Sequence, residues 1–265
     1  MRRCFSSNAA APLAYRLVYF DTRGVVEPIR LLLALSGAQW QDARYPMQAG
    51  ARGFRPDPAF VRDSKAGRWS ANMGRLPVLE ILQSDSDGTD VRTVGQVGQS
   101  HAIARYLAHA HGFFGQSSLE AASIDVVYEH VRDIKSAWFS AKRGGGDSKR
   151  SWWMGELSSH CVALEAALAA TPAAAALADG GGGGGGSSPP WVVGDSLSLA
   201  DVALYHLLGT PVSLMTGSTA SFFDGESQRV RDSLNDCPRL SASVAAVAAL
   251  PPVKEWERRR PDTFN

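Results

Sequence analysis

The chain has 265 residues, 45% of them hydrophobic, with 27 Lys and Arg against 26 Asp and Glu and a formal net charge of +1. That length holds one large or two ordinary domains with ample core, and the even charge gives no electrostatic footprint for nucleic acid, an acidic surface or a membrane. Cys4, Cys161 and Cys237 are too few and too scattered for a disulfide framework or a zinc site and point to a reducing compartment, and nothing approaches eighteen consecutive apolar residues, so no membrane span is expected.

Residues 1–13 are small and basic, with Arg2, Arg3 and a run of alanines, and no acid occurs before Asp21. Such a composition suits a flexible tail or a short targeting segment. From Tyr15 the pattern alternates strand and helix. Residues 15–20 are β-branched and aromatic and read as a strand. Residues 27–35 carry Pro28 in a first turn, strong helix formers after it and Gly37 as a stop. Residues 40–45 read as a second strand, closed by Pro46. Residues 47–73 are rich in Gly, Pro, Arg and Asp and show no period. Residues 77–82 and 91–94 look like strands around a polar loop containing Asp87-Gly88, and 99–109 is helical. The order βαβ, hairpin, helix predicts a small α/β domain.

Beyond Phe113-Phe114-Gly115 the strand signals fade. Ser117 and Glu120 form a capping box before a long helix in which Ile124, Val127, Val131, Ile134 and Trp138 recur every three or four residues. A second stripe, Met154, Leu157, Cys161, Leu164 and Leu168, is expected to pack antiparallel to the first across the break at Gly144-Gly145-Gly146. Ser198 and Asp201 make another capping pair before Val202, Leu204, Tyr205 and Leu208. Residues 239–260 read as two short helices parted by Pro251-Pro252. The glycines at 180–186 follow an Ala-rich segment and precede Ser187-Ser188-Pro189-Pro190. With no strand ahead and no Lys-Ser/Thr behind, they have the composition of a linker rather than a phosphate cradle.

The six histidines show no ligand spacing, so no metal is expected, and His101, His109 and His111 read as surface residues on or after one helix. A G-x-S-x-G elbow is missing, which leaves a hydrolase triad without an anchor. Three constellations remain. Tyr19-Phe20 ends a strand ahead of Asp21-Thr22-Arg23-Gly24 and a helix. In Gly74-Arg75-Leu76-Pro77-Val78-Leu79-Glu80 a proline opens a strand. Gly98-Gln99-Ser100 starts the next helix. Singly, each has an ordinary structural explanation: a core tyrosine, a strand-edge proline, an N-cap serine.

In this order and spacing they resemble the cytosolic glutathione S-transferases, specifically the sigma-like branch of the tyrosine-dependent classes. The resembling text is Leu17-Val18-Tyr19-Phe20 with Arg23-Gly24 and Glu27-Pro28-Ile29-Arg30, then Leu76-Pro77-Val78-Leu79-Glu80, then residues 99–107. Ser198-Leu199-Ala200-Asp201, Pro238-Arg239-Leu240, Pro251 and Trp256 extend it into the second half. The resemblance spans roughly residues 13–261 and is poor at 47–72, 83–91, 143–150 and 178–190. It implies an α/β thioredoxin-like N-terminal domain (14–110) that binds glutathione, followed by an all-α helical-bundle C-terminal domain (117–265) carrying the Gly-rich insert, with 1–13 outside both. It also implies a cytoplasmic homodimer that uses glutathione as co-substrate and adds its thiolate to small hydrophobic electrophiles bound between the domains, a detoxification reaction.

Residue by residue, the resemblance gives Tyr19 the catalytic role of donating its phenolic hydrogen bond to the glutathione sulfur, which favours the thiolate nucleophile. Gln99 and Ser100 would hold the γ-glutamyl carboxylate at a helix N-terminus. Leu76-Pro77 would be a cis peptide whose Leu76 backbone pairs with the cysteinyl backbone. Asp133 matches an acid that reaches the γ-glutamyl amine across a dimer interface. Trp69 would contact the glycyl end, with Arg68 and Lys65 as rivals for its carboxylate. Two departures speak against a prostaglandin isomerase: Val25 stands where those enzymes carry a second arginine, and Ser140 where they carry a pocket aromatic. A non-enzymatic carrier or structural protein on the same fold is the alternative, and Tyr19, Gln99 and Ser100 argue against it. A thiol-disulfide reductase lacks its cysteine in 19–28. Residues 1–13 leave organellar import open.

Overall fold

The structure, a computed structural model, describes residues 14–50, 53–85, 90–169, 190–209, 222–223, 226–261 and 263. The tail at 1–13, the Asp87-Gly88 turn and the glycines at 180–186 lie outside the described residues. The chain divides into two compact units between Ala104 and Arg105.

In the first unit the elements run β1 (Ala14–Phe20), α1 (Glu27–Ser36), β2 (Trp40–Tyr45), β3 (Met47–Gly50), β4 (Gly53–Pro56), α2 (Pro58–Lys65), β5 (Val78–Ser84) and β6 (Val91–Gly98), and α3 (Ser100–Ala110) begins in it. Four strands form a mixed sheet in the order β2-β1-β5-β6, and β3 pairs with β4 in a separate hairpin. β1 and β2 are parallel because α1 carries the chain back between them; β1–β5 and β5–β6 are antiparallel. Every residue of α1 from Glu27 to Leu33 is buried, and Gly37 ends it in the left-handed conformation a C-cap favours. This is a thioredoxin-like α/β unit.

Two features of this unit differ from the sequence expectation. The stretch without period, 47–73, contains the β3–β4 hairpin and α2. None of α2 is fully buried, so it carries no apolar stripe to betray it. Its signal was local: the Asp57 side chain accepts from the Ala59 N–H at 2.7 Å and Pro58 follows at the first helical position. Likewise β6 continues past Val94 to Gly98, its last residues pairing with β5 although Gly95 and Gly98 contribute no strand propensity.

The second unit is all-α: α4 (Ser118–Arg143), α5 (Gly146–Ser151), a π-helical turn at Trp152–Glu156, α6 (Leu157–Ala169), α7 (Leu199–Leu208), α8 (Ser227–Asp232), α9 (Pro238–Ala249) and α10 (Pro251–Arg259). All of α7 is buried, and α4 and α9 pack on it. The expected stripe on α4 is buried throughout. The second stripe needs one correction. Leu157, Cys161, Leu164 and Leu168 are buried, but Met154 is 80% exposed and Trp152 fills the interior instead. The wide π turn, broken at Gly155, shifts the helical phase ahead of Leu157. The box at Ser117 is also only half made: Ser117 Oγ accepts from the Glu120 N–H, whereas the Glu120 carboxylate reaches the Gln116 N–H. No helix among the described residues is long and apolar enough to cross a membrane.

Candidate active site

Strand register assembles the site in the first unit. Val18 of β1 faces Val78 of β5, and Val78 faces Gly98 of β6. The strands alternate in direction here. One step beyond that row therefore lie Tyr19 near the end of β1, Pro77 just before β5 and Gln99 just after β6, at one end of the sheet. The three motifs, spread over eighty residues of the chain, are brought to this end by the strand pairing.

The Tyr19 hydroxyl is held from behind. The Val25 backbone N–H and the Thr22 hydroxyl bond to its oxygen, and Arg30 places a positive charge nearby. These contacts pull its acidity toward the phenolate, but burial outweighs them and raises the phenol above its ordinary value of 10.0. The group therefore keeps its proton at neutral pH. With the Val25 N–H occupying the oxygen as acceptor, that proton is free to be donated outward. Gly24 makes room for it: φ is +45°, and a Cβ there would stand 3.1 Å from the Tyr19 hydroxyl oxygen.

Arg30, fully buried on α1, braces the same loop. Nη1 donates to the Thr22 carbonyl at 2.7 Å, and Glu27 and Asp42 balance its charge at 3.3 and 3.2 Å. A buried guanidinium is tolerated only when paired and bonded in this way. Asn72 plays a matching part opposite. Its Nδ2 donates to the Pro77 carbonyl at 2.9 Å, and the Leu76–Pro77 bond is cis. A Cβ on Gly98 would sit 2.5 Å from the Ala71 carbonyl oxygen, so the turn at 70–72 lies flush against the end of β6. Arg30 was visible as a charge inside a run of buried leucines. Nothing in the sequence singled out Asn72.

Gln99 is exposed, with φ at +69°, a left-handed conformation uncommon outside glycine. Its carbonyl accepts the Ile103 N–H at 2.9 Å as α3 begins at Ser100. That leaves the first backbone N–H groups of α3 and its dipole directed at this end of the sheet, an arrangement that attracts an anion. Trp69 is buried in the core cluster with Val18 and Val78, against which Leu76 packs. Edge-to-face contacts run from Phe20 through Phe60 and Tyr45 to Trp69, so the unforeseen α2, which carries Phe60, helps to seat that indole. The Trp69 ring nitrogen is buried beside the Tyr45 hydroxyl, whose phenolate it favours by hydrogen bonding. Arg68 lies 4.9 Å over the Trp69 ring and 3.7 Å from Asp63, and Lys65 is exposed at the end of α2.

Asp133 and Ser140 belong to the second unit. Asp133 stands exposed on α4, 3.5 Å from Arg132. Ser140 is exposed too, its hydroxyl donating to the Ser136 carbonyl at 3.1 Å. Among the described residues no group of His, Cys, Asp and Glu could hold a metal ion.

A thioredoxin-like sheet whose end joins a tyrosine, a cis-proline and a helix N-terminus, followed by an all-α unit, defines the class: a protein of glutathione transferase architecture. Residues 149–260 match the family model of the glutathione S-transferase C-terminal domain. The chain is 26% identical over 242 residues to glutathione S-transferase P 1 of Xenopus laevis, covering 91% of each chain. It is 24% identical to S-crystallin SL11 of Nototodarus sloanii, covering 94% of this chain and 98% of that one. The fold matches a monomeric glutathione S-transferase of Necator americanus with a TM-score of 0.63 at 23% identity, covering 94% of this chain and 98% of the other. Over most of its length the chain is similar to glutathione S-transferases, and residues 149–260 carry the match to their C-terminal domain.

Proposed function

We propose that this chain conjugates the glutathione thiolate to small hydrophobic electrophiles in the cytoplasm, with Tyr19 as the catalytic residue that stabilises the thiolate. The observation that carries the reading is the strand register that lines up Tyr19, Pro77 and Gln99. A protonated phenol with its acceptor side occupied suits donation to a sulfur anion. The start of α3, with Gln99 and Ser100, suits the γ-glutamyl carboxylate. The Leu76 backbone next to Pro77 would pair with the cysteinyl backbone, and Trp69 would contact the glycyl end. In this reading 14–110 forms the glutathione-binding domain, 117–265 the all-α domain, and Asp133 reaches a partner's glutathione in a homodimer. Tyr19 with Glu27-Pro28-Ile29-Arg30 supports the tyrosine-dependent, sigma-like branch, and Val25 and Ser140 speak against prostaglandin isomerisation.

The test is turnover of 1-chloro-2,4-dinitrobenzene by the purified chain and by Tyr19→Phe. A hydrogen bond to a charged sulfur is worth about 1.5–3 kcal/mol, so kcat/KM falls roughly 10- to 100-fold at pH 7. Without the donor the thiol pKa rises by about one to two units. The variant therefore recovers as pH rises toward 9, where the thiolate forms unaided. Equally negligible rates in two folded proteins would sink the catalytic assignment. The similarity to a protein named S-crystallin favours a second reading, a carrier or structural protein on this fold; retention on immobilised glutathione without turnover selects it.

A further inference from the structure

The corner between α4 and α5 carries charge that the even balance of the whole chain conceals. Residues 142–150 hold four of the 27 basic residues and one of the 26 acidic ones, a net +3 against −2 for the rest of the chain. Lys142, Arg143, Lys149 and Arg150 are all exposed. The first two close the last turn of α4 and the other two the last turn of α5. Gly145 turns the chain between them with φ at +88°, and a Cβ on Gly144 would stand 2.4 Å from the Ser148 hydroxyl oxygen, so the corner is tight. Asp147, the one acid in the run, lies 3.9 Å from Arg150 with its side chain almost wholly in solvent.

Apolar side chains border these cations. Phe139 stands three and four residues before Lys142 and Arg143 on one face of α4; it is 45% exposed, and the Lys142 ammonium lies 6.0 Å from its ring. Beyond α5, Met154 is 80% exposed, and it lines one surface depression with Ser151, the residue after Arg150. Cations at helix C-termini offset the carbonyl ends of α4 and α5, but that leaves a phenylalanine and a methionine in water beside them unexplained. An acidic polymer would pair with the cations and leave both apolar groups hydrated. An anionic bilayer meets the cations with its headgroups and takes the apolar side chains into the acyl boundary. We propose that the α4–α5 corner is a docking surface for membranes rich in anionic lipid, held by Lys142, Arg143, Lys149 and Arg150, with Phe139 and Met154 entering the interface. No part of this uses the glutathione reading.

The experiment sediments the full-length protein with vesicles of phosphatidylcholine alone and of phosphatidylcholine with about one-third phosphatidylserine. The expected result is binding about tenfold or more tighter to the anionic vesicles, an excess that disappears in about 0.5 M NaCl, where screening confines the attraction to a few ångströms. Each cation near an anionic surface contributes about fivefold, so Lys149→Gln with Arg150→Gln weakens binding roughly 20-fold. Arg55→Gln with Arg62→Gln removes the same charge from exposed residues of the first unit and weakens it less than about threefold. Glu156→Gln, which removes the exposed acid two residues past Met154, strengthens binding about threefold. Met154→Ser changes no charge and weakens it about threefold through lost apolar burial. Equal binding to both kinds of vesicle overturns the proposal, and so does equal loss in the two double variants. A Met154→Ser variant that binds like wild type, in a protein that polyuridylate strips from the vesicles, overturns it too, because the corner then takes polyanions in general.

Discussion

Gly24 shows how much the candidate site depends on a side chain that is not there. Its φ of +45° and the 3.1 Å that a Cβ would leave to the Tyr19 hydroxyl are separate obstacles to any substitution. Gly24→Ala costs about 1–2 kcal/mol for the left-handed backbone, and it also pushes the phenol off its bonds to Val25 and Thr22. On the proposed mechanism kcat/KM for 1-chloro-2,4-dinitrobenzene falls about tenfold, since small displacements of a reacting group are expensive. Glutathione affinity, measured by calorimetry, stays within about twofold because α3 and Pro77 are untouched. Equal loss of both would point to general damage to the unit. Tyr19, Pro77, Gln99 and Ser100 were readable because each sits in a short local pattern. Arg30 and Asn72 act on carbonyls across space, Asn72 on Pro77 and Arg30 on the Tyr19 loop, and no local pattern reports such a contact.

Helix starts were legible where a side chain caps its own helix, and phase was lost where the backbone departs from the regular helix. Ser198 and Asp201 announced α7, and Asp201 does more than cap it. Its carboxylate accepts from the Ser198 N–H at 2.9 Å and the Ser198 hydroxyl at 2.7 Å, from the Val192 N–H at 2.9 Å and from the Ser243 hydroxyl of α9 at 2.7 Å. One fully buried residue thus ties a loop and two helices together. Asp201→Ala leaves several buried donors unsatisfied at about 1–3 kcal/mol each. The expected loss is roughly 3–5 kcal/mol in urea denaturation, with the Asp201→Asn variant in between. A loss below about 1 kcal/mol would mean that these donors find water. By contrast the π turn at Trp152–Glu156 left no mark in the spacing of apolar residues, and Met154 was misplaced for that reason. α2 escaped because it buries no face; its Asp-Pro start was the only available signal.

The succession of strand and helix signals, followed by helices alone, was enough to expose an α/β unit joined to an all-α unit. Composition could not foresee how buried titratable groups set the molecule's response to pH. Lys135 has a folded pKa near 7 against 10.5 for the free side chain. Between those values the unfolded chain binds the extra proton, so stability rises with pH through that window. Cys161 runs the other way. Burial pushes its thiol from 9.0 up to about 12, so above pH 9 the unfolded chain sheds a proton that the folded chain keeps, and stability falls. Cys237 is raised in the same sense, and Tyr45, pushed up to about 12, adds to the fall above pH 10. The two trends cross near pH 9. One proton of difference is worth about 1.4 kcal/mol per pH unit, and partial solvent access at Lys135 trims its share to about 1 kcal/mol. Urea denaturation at half-unit steps from pH 7 to 11 therefore shows stability climbing to a maximum near pH 9 and then declining. In Lys135→Met the climb from pH 7 to 8.5 flattens while the decline above pH 10 remains. Parallel curves for the two proteins would reject Lys135 as the source of the rise.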